Sequence, residues 1–276
     1  MVNTTYEPFS RQPEYIEVNR GFIASLGLHG CASLLDLACG TGTLSDLLKE
    51  IWKVASIAGL DLSRESLLLA REHFRISEDP PGFFQGTADC LPFAGGSFDA
   101  AVMGNSIHNL PDQDLLLREI ARVLRPGGRF AFNTSFFAGT FPPGTEVLYH
   151  EWLKEAVGWI SRKDADLRRQ GQAPIRRKKG TSHRAFSRTW PTPEEFTSLL
   201  ERNGFTVRWY THRTILLTEE SLRMVGAYSG MAKVLLSGYP VEIAAAALDA
   251  AASPAFAAFG RPEVRRLWLE VVAEKI

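Results

Sequence analysis

Residues 34–48, LLDLACGTGTLSDLL, constrain the fold of this chain more than any other stretch. The apolar run that opens the stretch predicts a buried strand, and the leucines at helical spacing that close it predict a helix. The turn Gly40-Thr41-Gly42 lies between them. Glycine lets the backbone approach a ligand closely, and free N–H groups at a helix N-terminus point towards it. The stretch therefore predicts a cradle for a cofactor.

Strand and helix patterns continue in alternation as far as residue 136. The predicted strands after the first are 54–62, 83–89, 97–105 and 129–136, and the predicted helices include 12–27, 63–74 and 111–124. Ser63 and Asp112 are the expected N-caps of two of these helices. The alternation predicts an α/β fold with a Rossmann-like, doubly wound, mostly parallel sheet covered on both faces.

The pattern changes after residue 136. Residues 137–190 contain no clear strand, and a helix then begins with Thr192 as N-cap, Pro193 at its first position and Glu195 completing a capping box. Residues 205–218 can add edge strands, which brings the expected sheet to seven strands. The tail from 219 is alanine-rich and is predicted to be helical.

These patterns predict four regions. They are an N-terminal helical lid (1–29), the sheet core (30–136 and 191–218), a helical cap insertion (137–190) and a helical C-terminal extension (219–276). The 276 residues are 45% apolar, which suits one substantial domain with additions. We expect the tract 241–259 to be a packed pair of alanine-rich helices, because Glu242, Asp249 and Pro254 interrupt it.

Acidic residues stand in or after three successive strands. Asp36 precedes the glycine turn, Asp61 ends the second strand, and Asp89 ends the third. The carboxyl ends of strands in an open α/β sheet are where ligands bind. A dinucleotide site is disfavoured because Ser45 stands where its third glycine is needed, and because a pyrophosphate would be repelled by Asp36. Asp36 would favour a cationic group, the Asp61 carboxylate can accept from both hydroxyls of a ribose, and Asp89 can accept from an exocyclic amine. The implied ligand therefore has an amine-bearing end, a ribose and an adenine.

Five motifs, LLDLACGTGTL, GLDLS, GTADCLPF, SFDAAVMGNSIHNLPD and ARVLRPGGRFAF, resemble those of class I S-adenosylmethionine-dependent methyltransferases. The small-molecule group, similar to the ubiquinone and menaquinone biosynthesis enzymes, is the nearest. The resemblance covers about residues 30–136. It implies S-adenosylmethionine as cofactor and S-adenosylhomocysteine as product. The cofactor-binding residues it implies are Asp36, Gly40, Thr41, Gly42, Asp61, Leu62, Asp89, Cys90 and Asn105.

His108 is the candidate catalytic base, since it follows the fourth strand and histidine suits proton transfer at neutral pH. The alternative is a loop histidine that orders the following turn. Tyr15 near the N-terminus is a candidate substrate contact, with a packing tyrosine as the alternative. Arg20 is a candidate partner for the cofactor carboxylate, and a surface arginine is the alternative.

The insertion supplies further candidates for substrate binding. Tyr149, Trp152 and Trp159 lie at helical spacing and form either a core stripe or the wall of a cavity, with Trp152 as the chosen contact. From 162 to 188 the chain has ten Lys and Arg against two Asp, a local charge of +8 in a chain of zero net charge. This run is either a solvated loop or a site for an anionic substrate group. Its candidate contacts are Arg176, Arg177, Lys178, Lys179 and Arg184.

The leading prediction is a methyltransferase that modifies an oxygen or carbon atom of a small, largely apolar metabolite. One alternative is an RNA methyltransferase that grips RNA with the basic insert, although Asn105-Ser106-Ile107-His108 replaces the Asn/Asp-Pro-Pro-Tyr/Phe tetrapeptide of such enzymes. Another is a non-catalytic S-adenosylmethionine-binding protein. The three cysteines and six scattered histidines lack metal-ligand spacing, so no metal is expected. We also expect a cytoplasmic monomer or homodimer with no membrane span and no nucleic-acid partner.

Overall fold

Seven strands form one sheet in the computed structural model, which describes residues 4–54, 56–178 and 190–276. The strands are β1 (Ser33–Leu37), β2 (Ser56–Asp61), β3 (Gly82–Gln85), β4 (Phe98–Gly104), β5 (Leu124–Thr134), β6 (Phe205–Thr218) and β7 (Glu263–Lys275). Their order across the sheet is β3-β2-β1-β4-β5-β7-β6. The pairs among β1 to β5 are parallel, and β7 is antiparallel to β5. The predicted mostly parallel, seven-stranded α/β fold is confirmed.

Three of the described helices begin at the N-caps that the sequence predicts. They are α1 (Glu7–Ser10), α2 (Pro13–Ser25), α3 (Thr43–Trp52), α4 (Arg64–His73), α5 (Gln113–Val123), α6 (Glu146–Arg169), α7 (Pro193–Glu201), α8 (Glu219–Ala227), α9 (Ser229–Leu235) and α10 (Val241–Phe259). Ser63 accepts from the Ser66 N–H, and Asp112 accepts from the Leu115 N–H. Thr192 and Glu195 form the predicted capping box.

The chain divides into a sheet unit and a helical unit. The sheet unit contains Pro13–Thr140, Trp190–Thr214 and Leu267–Ile276, and the helical unit contains Met1–Gln12, Phe141–Thr189 and Ile215–Arg266. The predicted N-terminal lid 1–29 is therefore split after Gln12. Phe22 and Ile23 of α2 are fully buried in the sheet unit's core, so α2 is a structural helix of that unit.

The sheet unit buries both faces of its central strands. Leu35 and Met103 belong to one apolar cluster, whereas Leu34 and Val102 belong to another. Successive side chains of a strand point to opposite faces, so neighbours such as Leu34 and Leu35 separate onto the two sides of the sheet. Burial on both faces explains why these strands are continuous apolar runs in the sequence.

The helical unit packs α10 against α6 and α8. The Trp152 indole N–H donates to the Leu248 carbonyl across 2.7 Å, and a Cβ on Gly226 would lie 2.8 Å from the Leu248 Cβ. Tract 241–259 is one helix that continues through Pro254, so the expected pair of helices is wrong. Among the described residues, α10 alone is long and apolar enough to cross a membrane, and 44% of its most apolar stretch is buried in the protein.

The end of the chain differs from the expectation most clearly. Residues after 219 were expected to be helical, yet β7 pairs with β5 and lies between it and β6. Residues 205–218 form a single strand. The predicted helical extension is thus correct only as far as Phe259.

Candidate functional site

The glycine turn between β1 and α3 has a backbone that suits close approach. Gly40 has a φ of 54° with no atom within 4 Å of where a Cβ would stand, so the space beside it is open. Gly42 has a φ of 86°, and a Cβ there would lie 2.9 Å from the Phe74 ring. The Gly40 N–H donates to Asp61 and the Gly42 N–H to the Cys39 carbonyl. The turn therefore uses these two amides internally. They are not free donors, contrary to the expectation from the sequence.

Asp61 at the end of β2 connects two loops. Its Oδ2 accepts from the Gly40 N–H and its Oδ1 from the Ser63 N–H, both at 2.8 Å. Each carboxylate oxygen can accept more than one hydrogen bond, so both oxygens keep capacity for a ligand. The adjacent Leu62 side chain is 69% exposed and offers an apolar surface beside that carboxylate.

Asp36 is a buried carboxylate with half of its capacity unused. Its Oδ2 accepts from the Ser45 hydroxyl at 2.7 Å, while its Oδ1 is buried without a hydrogen-bond partner among the described residues. Burial raises the pKa of Asp36 to about 7, and the Asp61 carboxylate adds to that rise. The pKa of Tyr15 is raised by burial and by the Asp36 charge. A buried polar atom without a partner costs free energy, which a polar or cationic ligand would recover.

The loop that carries Asp89 is held by α5. Glu119 accepts from the Leu91 N–H at 2.8 Å, and the Arg122 guanidinium donates to the Leu91 carbonyl at 2.9 Å and the Phe93 carbonyl at 2.7 Å. In the part of the chain that the structure describes, the Asp89 carboxylate makes no hydrogen bond, so its acceptor capacity is available. Cys90 is exposed beside it.

These groups meet at one edge of the sheet. β3, β2, β1 and β4 are parallel neighbours, so their carboxyl ends lie side by side. Asp89, Asp61, the glycine turn and Asn105 follow those ends in that order. The open space at Gly40 and the unpartnered Asp36 oxygen fit an amine-bearing nucleoside such as S-adenosylmethionine, whose ammonium and hydroxyl donors match an acidic crevice.

Asn105 has a structural role that its place in the sequence does not reveal. It has a φ of 44°, and its Oδ1 accepts from the Ser135 N–H and hydroxyl. The Asn133 Oδ1 accepts from the Asn105 N–H, and the Asn133 amide donates to the buried Asn19. Asn19 in turn donates to the Tyr15 carbonyl at 2.8 Å. This chain of amides fixes α2 to the ends of β4 and β5.

His108 follows β4 in the short helical turn Ile107–Asn109. Its Nδ1 lies 3.2 Å from the Thr134 hydroxyl, and its ring stacks on Phe136 with centroids 3.8 Å apart. Trp190 meets the Phe136 ring edge-on at 5.5 Å. Thr134, Phe136 and Trp190 were not predicted as site residues. The position of Phe136 at the end of the predicted strand 129–136 was the one signal available for it.

The remaining candidates lie in several different places. Tyr15 is buried and packs edge-on against Trp268. Trp152 is 2% exposed and bonded to α10, which favours the core stripe over the cavity wall. Arg20 pairs with Glu50, as a surface arginine does.

The basic candidates are only partly described. Arg176 is exposed. The Arg177 Nε donates to the Ser237 carbonyl at 3.1 Å, and its guanidinium lies over the Tyr239 ring. Lys179 and Arg184 lie outside the described residues.

Comparisons with known proteins identify the family of the chain. A family model described as "Methyltransferase domain" matches residues 35–132. The chain is 33% identical to a ubiquinone/menaquinone biosynthesis C-methyltransferase of Bradyrhizobium diazoefficiens over 65% of this chain and 68% of that protein. It is 42% identical to a demethylmenaquinone methyltransferase of Lactococcus lactis over 35% of this chain, and the aligned part spans only 39% of that relative.

A solved structure, the YcgJ protein of Bacillus subtilis, superposes with a TM-score of 0.56 at 18% identity and covers 94% of this chain and 98% of that one. At that identity the likeness concerns the fold.

Proposed function

The chain belongs to the class I S-adenosylmethionine-dependent methyltransferases of small molecules, and we propose that it methylates an oxygen or carbon atom of a small, largely apolar metabolite. The relatives named above are enzymes of quinone biosynthesis, which supports a quinol-like or natural-product acceptor. The acceptor and the atom that is methylated are part of the proposal.

One observation carries the assignment: the buried Asp36 Oδ1 has no partner among the described residues and lies in the strand that leads into the glycine turn. The large majority of buried side-chain polar atoms in proteins have at least one hydrogen-bond partner. An ammonium group or an ordered water linked to one would satisfy this oxygen. The methionine part of S-adenosylmethionine carries such an ammonium group.

The proposed cofactor contacts follow the order of the strand ends. Asp36, Gly40, Thr41 and Gly42 would surround the methionine part. Asp61 would accept from the ribose hydroxyls, Leu62 and Cys90 would flank the adenine, and Asp89 would accept from its amine. Asn105 would form the floor. When bound, S-adenosylmethionine supplies an electrophilic methyl group whose bond to sulfur breaks as an electron pair of the acceptor forms the new bond.

The protein contributes binding, alignment and exclusion of water. His108 stands at the end of β4, beside the glycine turn's strand, and we propose that it contacts the acceptor. Tyr15 is buried near Asp36. We propose that it closes the end of the cofactor site that takes the methionine part. Arg176 and Arg177 are proposed to attract an anionic group of the acceptor, and Trp152 to support the helical unit by packing.

The test is transfer of a labelled methyl group by the full chain. The acceptors are naphthohydroquinone, decanoic acid and a structured RNA, each with S-adenosylmethionine. We expect label in the hydroquinone, and at least a tenfold loss in Asp89→Asn because the adenine amine loses a charged acceptor. Glu78→Gln, which removes an exposed carboxylate, is the matched control. Label in RNA alone, or in none of the acceptors with cofactor bound, would contradict the proposal.

A further inference from the structure

We propose that Asn19 and Asn133 are positioning residues, which join Tyr15 on α2 to Asn105 after β4 and thereby set how tightly the site holds the amino-acid part of the cofactor. The two side chains, the Asn105 N–H and the Tyr15 carbonyl together form what we call the amide relay. The inference rests on the proposed function. It distinguishes ligands that share an adenosine group, because only those with an amino-acid part would depend on the relay.

The amide relay has a single direction. The Asn105 N–H donates to the Asn133 Oδ1 at 2.9 Å, and the Asn133 Nδ2 donates to the Asn19 Oδ1 at 2.9 Å. The Asn19 Nδ2 then donates to the Tyr15 carbonyl at 2.8 Å. A backbone donor therefore stands at one end and a backbone acceptor at the other. Each side-chain amide has an oxygen that accepts and a nitrogen that donates, so only one orientation of the two side chains satisfies the relay.

Burial makes the relay more exacting than apolar packing. Asn19 and Asn133 are both fully buried. Phe22 and Ile23 already bury α2 in the core of the sheet unit, and apolar burial is non-directional. Hydrogen bonds between buried amides require particular distances and angles, so they favour one position of α2 over its neighbours. The relay therefore fixes the position of a helix whose burial does not depend on it.

The Tyr15 end of the relay lies beside Asp36. Burial and then the Asp36 charge raise the pKa of the Tyr15 hydroxyl, and a hydrogen bond with the Asn19 side chain opposes that rise. Asn19 thus contacts both the carbonyl and the hydroxyl of Tyr15. Asn19 therefore sets where the phenol lies relative to the carboxylate that is proposed to bind the methionine part.

The Asn105 end of the relay has further bonds of its own. The Asn105 N–H also donates to the Asn133 carbonyl at 3.0 Å. Its Oδ1 accepts from the Ser135 N–H at 2.8 Å and from the Ser135 hydroxyl at 3.0 Å. These bonds hold Asn105 to the end of β5 without α2. Loss of the bond between Asn19 and Asn133 should therefore release α2 and leave Asn105 in place.

The consequence is a division within the proposed cofactor site. Tyr15 and Asp36 are proposed for the methionine part, whereas Asp61, Leu62 and Asp89 are proposed for the adenosine part. A shift of α2 should therefore weaken the binding of S-adenosylhomocysteine. It should spare 5′-methylthioadenosine, which keeps the adenosine group and the sulfur atom and lacks the amino-acid part.

The test is calorimetric titration of the full chain with these two ligands. Asn19→Leu leaves the buried Asn133 amide nitrogen without its acceptor, so both stability and S-adenosylhomocysteine affinity should fall. Asn19→Leu combined with Asn133→Leu replaces both partners by apolar groups of similar size, which should restore most of the stability. We expect S-adenosylhomocysteine to bind roughly tenfold more weakly to both variants, and 5′-methylthioadenosine to bind as it does to the wild type.

Urea unfolding of the same preparations separates a positioning role from a purely structural one. The double variant should regain stability without regaining affinity for S-adenosylhomocysteine. If affinity returns together with stability, or if both ligands lose affinity equally, the inference is overturned. Asn203→Leu is the matched control, because Asn203 also donates to the carbonyl four residues before it, that of Leu199. Its affinity for both ligands should equal that of the wild type.

Proton–nitrogen correlation spectroscopy of the side-chain amides tests the relay without any variant. In the wild type, S-adenosylhomocysteine should shift the Asn19 and Asn133 amide signals, and 5′-methylthioadenosine should shift them much less. Equal shifts with the two ligands would contradict the inference. If the wild type binds neither ligand, the proposed function and the inference have both failed. If it binds both and transfers no methyl group, yet the variants lose only S-adenosylhomocysteine, the proposed function has failed and the role of the relay stands.

Discussion

Two carboxylates are buried in the sheet unit, and their surroundings differ. Glu270 on β7 is fully buried and accepts from the Arg213 Nε at 2.5 Å and Nη2 at 3.0 Å. Asp36 on β1 is equally buried, accepts from one hydroxyl through Oδ2, and has an unpartnered Oδ1 among the described residues. Burial raises the pKa of both groups, and at Glu270 the Arg213 charge opposes that rise.

We infer from this difference that Glu270 stabilises the fold and propose that Asp36 binds a ligand. Charge and hydrogen bonds at Glu270 are satisfied within the protein, so it holds β7 to the rest of the sheet unit. Those at Asp36 are incomplete among the described residues, so the folded protein bears a cost that either a bound proton or a ligand can offset. Four variants make this comparison more exact or contradict it.

Arg213→Met should have the largest effect on stability. It leaves the Glu270 carboxylate buried and unpaired, so we expect the free energy of unfolding to fall by about 4 kcal/mol. Urea unfolding near neutral pH measures it. Arg208→Met is the matched control. Arg208 pairs with Glu274 at the protein surface, so the loss of this pair should change the free energy of unfolding little. Equal effects in the two variants would show that Glu270 does not depend on Arg213.

The pH dependence of stability should reveal Asp36. Its pKa is raised to about 7 in the folded state, so the native protein holds a proton that the unfolded chain has lost. The contribution of protonated Asp36 to the free energy of unfolding should therefore be fully present below pH about 4. It should fall as the pH rises to about 7, by roughly 3 kcal/mol relative to Asp36→Asn. Unfolding of both proteins across that range measures the difference. A constant difference would mean that Asp36 ionises as an exposed carboxylate does.

Asp36→Asn should weaken ligand binding while sparing the fold. Asparagine keeps the shape and removes the charge, so we expect S-adenosylmethionine affinity to fall by about 2 kcal/mol, roughly 30-fold. The free energy of unfolding at pH about 8 should not fall. Calorimetric titration and urea unfolding of the same preparation check the two statements. Unchanged affinity together with a loss of stability would make Asp36 a structural residue like Glu270.

Ser45→Ala should have the smallest effect. It removes the hydroxyl that Asp36 Oδ2 accepts from, which costs about 1 kcal/mol of unfolding free energy at a pH of about 8. It should also raise the pKa of Asp36 further, since this hydrogen bond stabilises the charged form. The midpoint of the pH dependence described above would then move upwards. A downward movement would contradict the assignment of the hydrogen bond.

The sequence predicts the parallel part of the sheet because local rules govern it. β1 to β4 are short strands, and helices separate β1 from β2, β2 from β3 and β4 from β5. The predicted N-caps at Ser63, Asp112 and Thr192 are each confirmed. The strand β7 was missed because it pairs with β5, more than a hundred residues earlier in the chain. Its Glu, Arg, Leu and Ala residues also suit a helix, and no local signal identifies that distant partner.

The candidate site divides in the same way. Aspartates at strand ends and a glycine turn are visible in the sequence, and the structure brings their strand ends together. The surroundings of His108 were not visible. Thr134 and Phe136, which contact it, come from another strand, and Trp190, which packs on Phe136, follows a long insertion. The use of the Gly40 and Gly42 amides within the turn was also hidden, because it depends on φ angles and on the position of Asp61.

We propose that the acidic edge of the sheet binds S-adenosylmethionine. Calorimetric titration with S-adenosylmethionine, on the wild type and on Asp61→Ala, tests it most directly, with Asp79→Ala as an exposed control. We expect micromolar binding to the wild type and the control, and its loss in Asp61→Ala, which lacks both acceptors for the ribose. Wild-type affinity in Asp61→Ala, or no binding to the wild type, would contradict it.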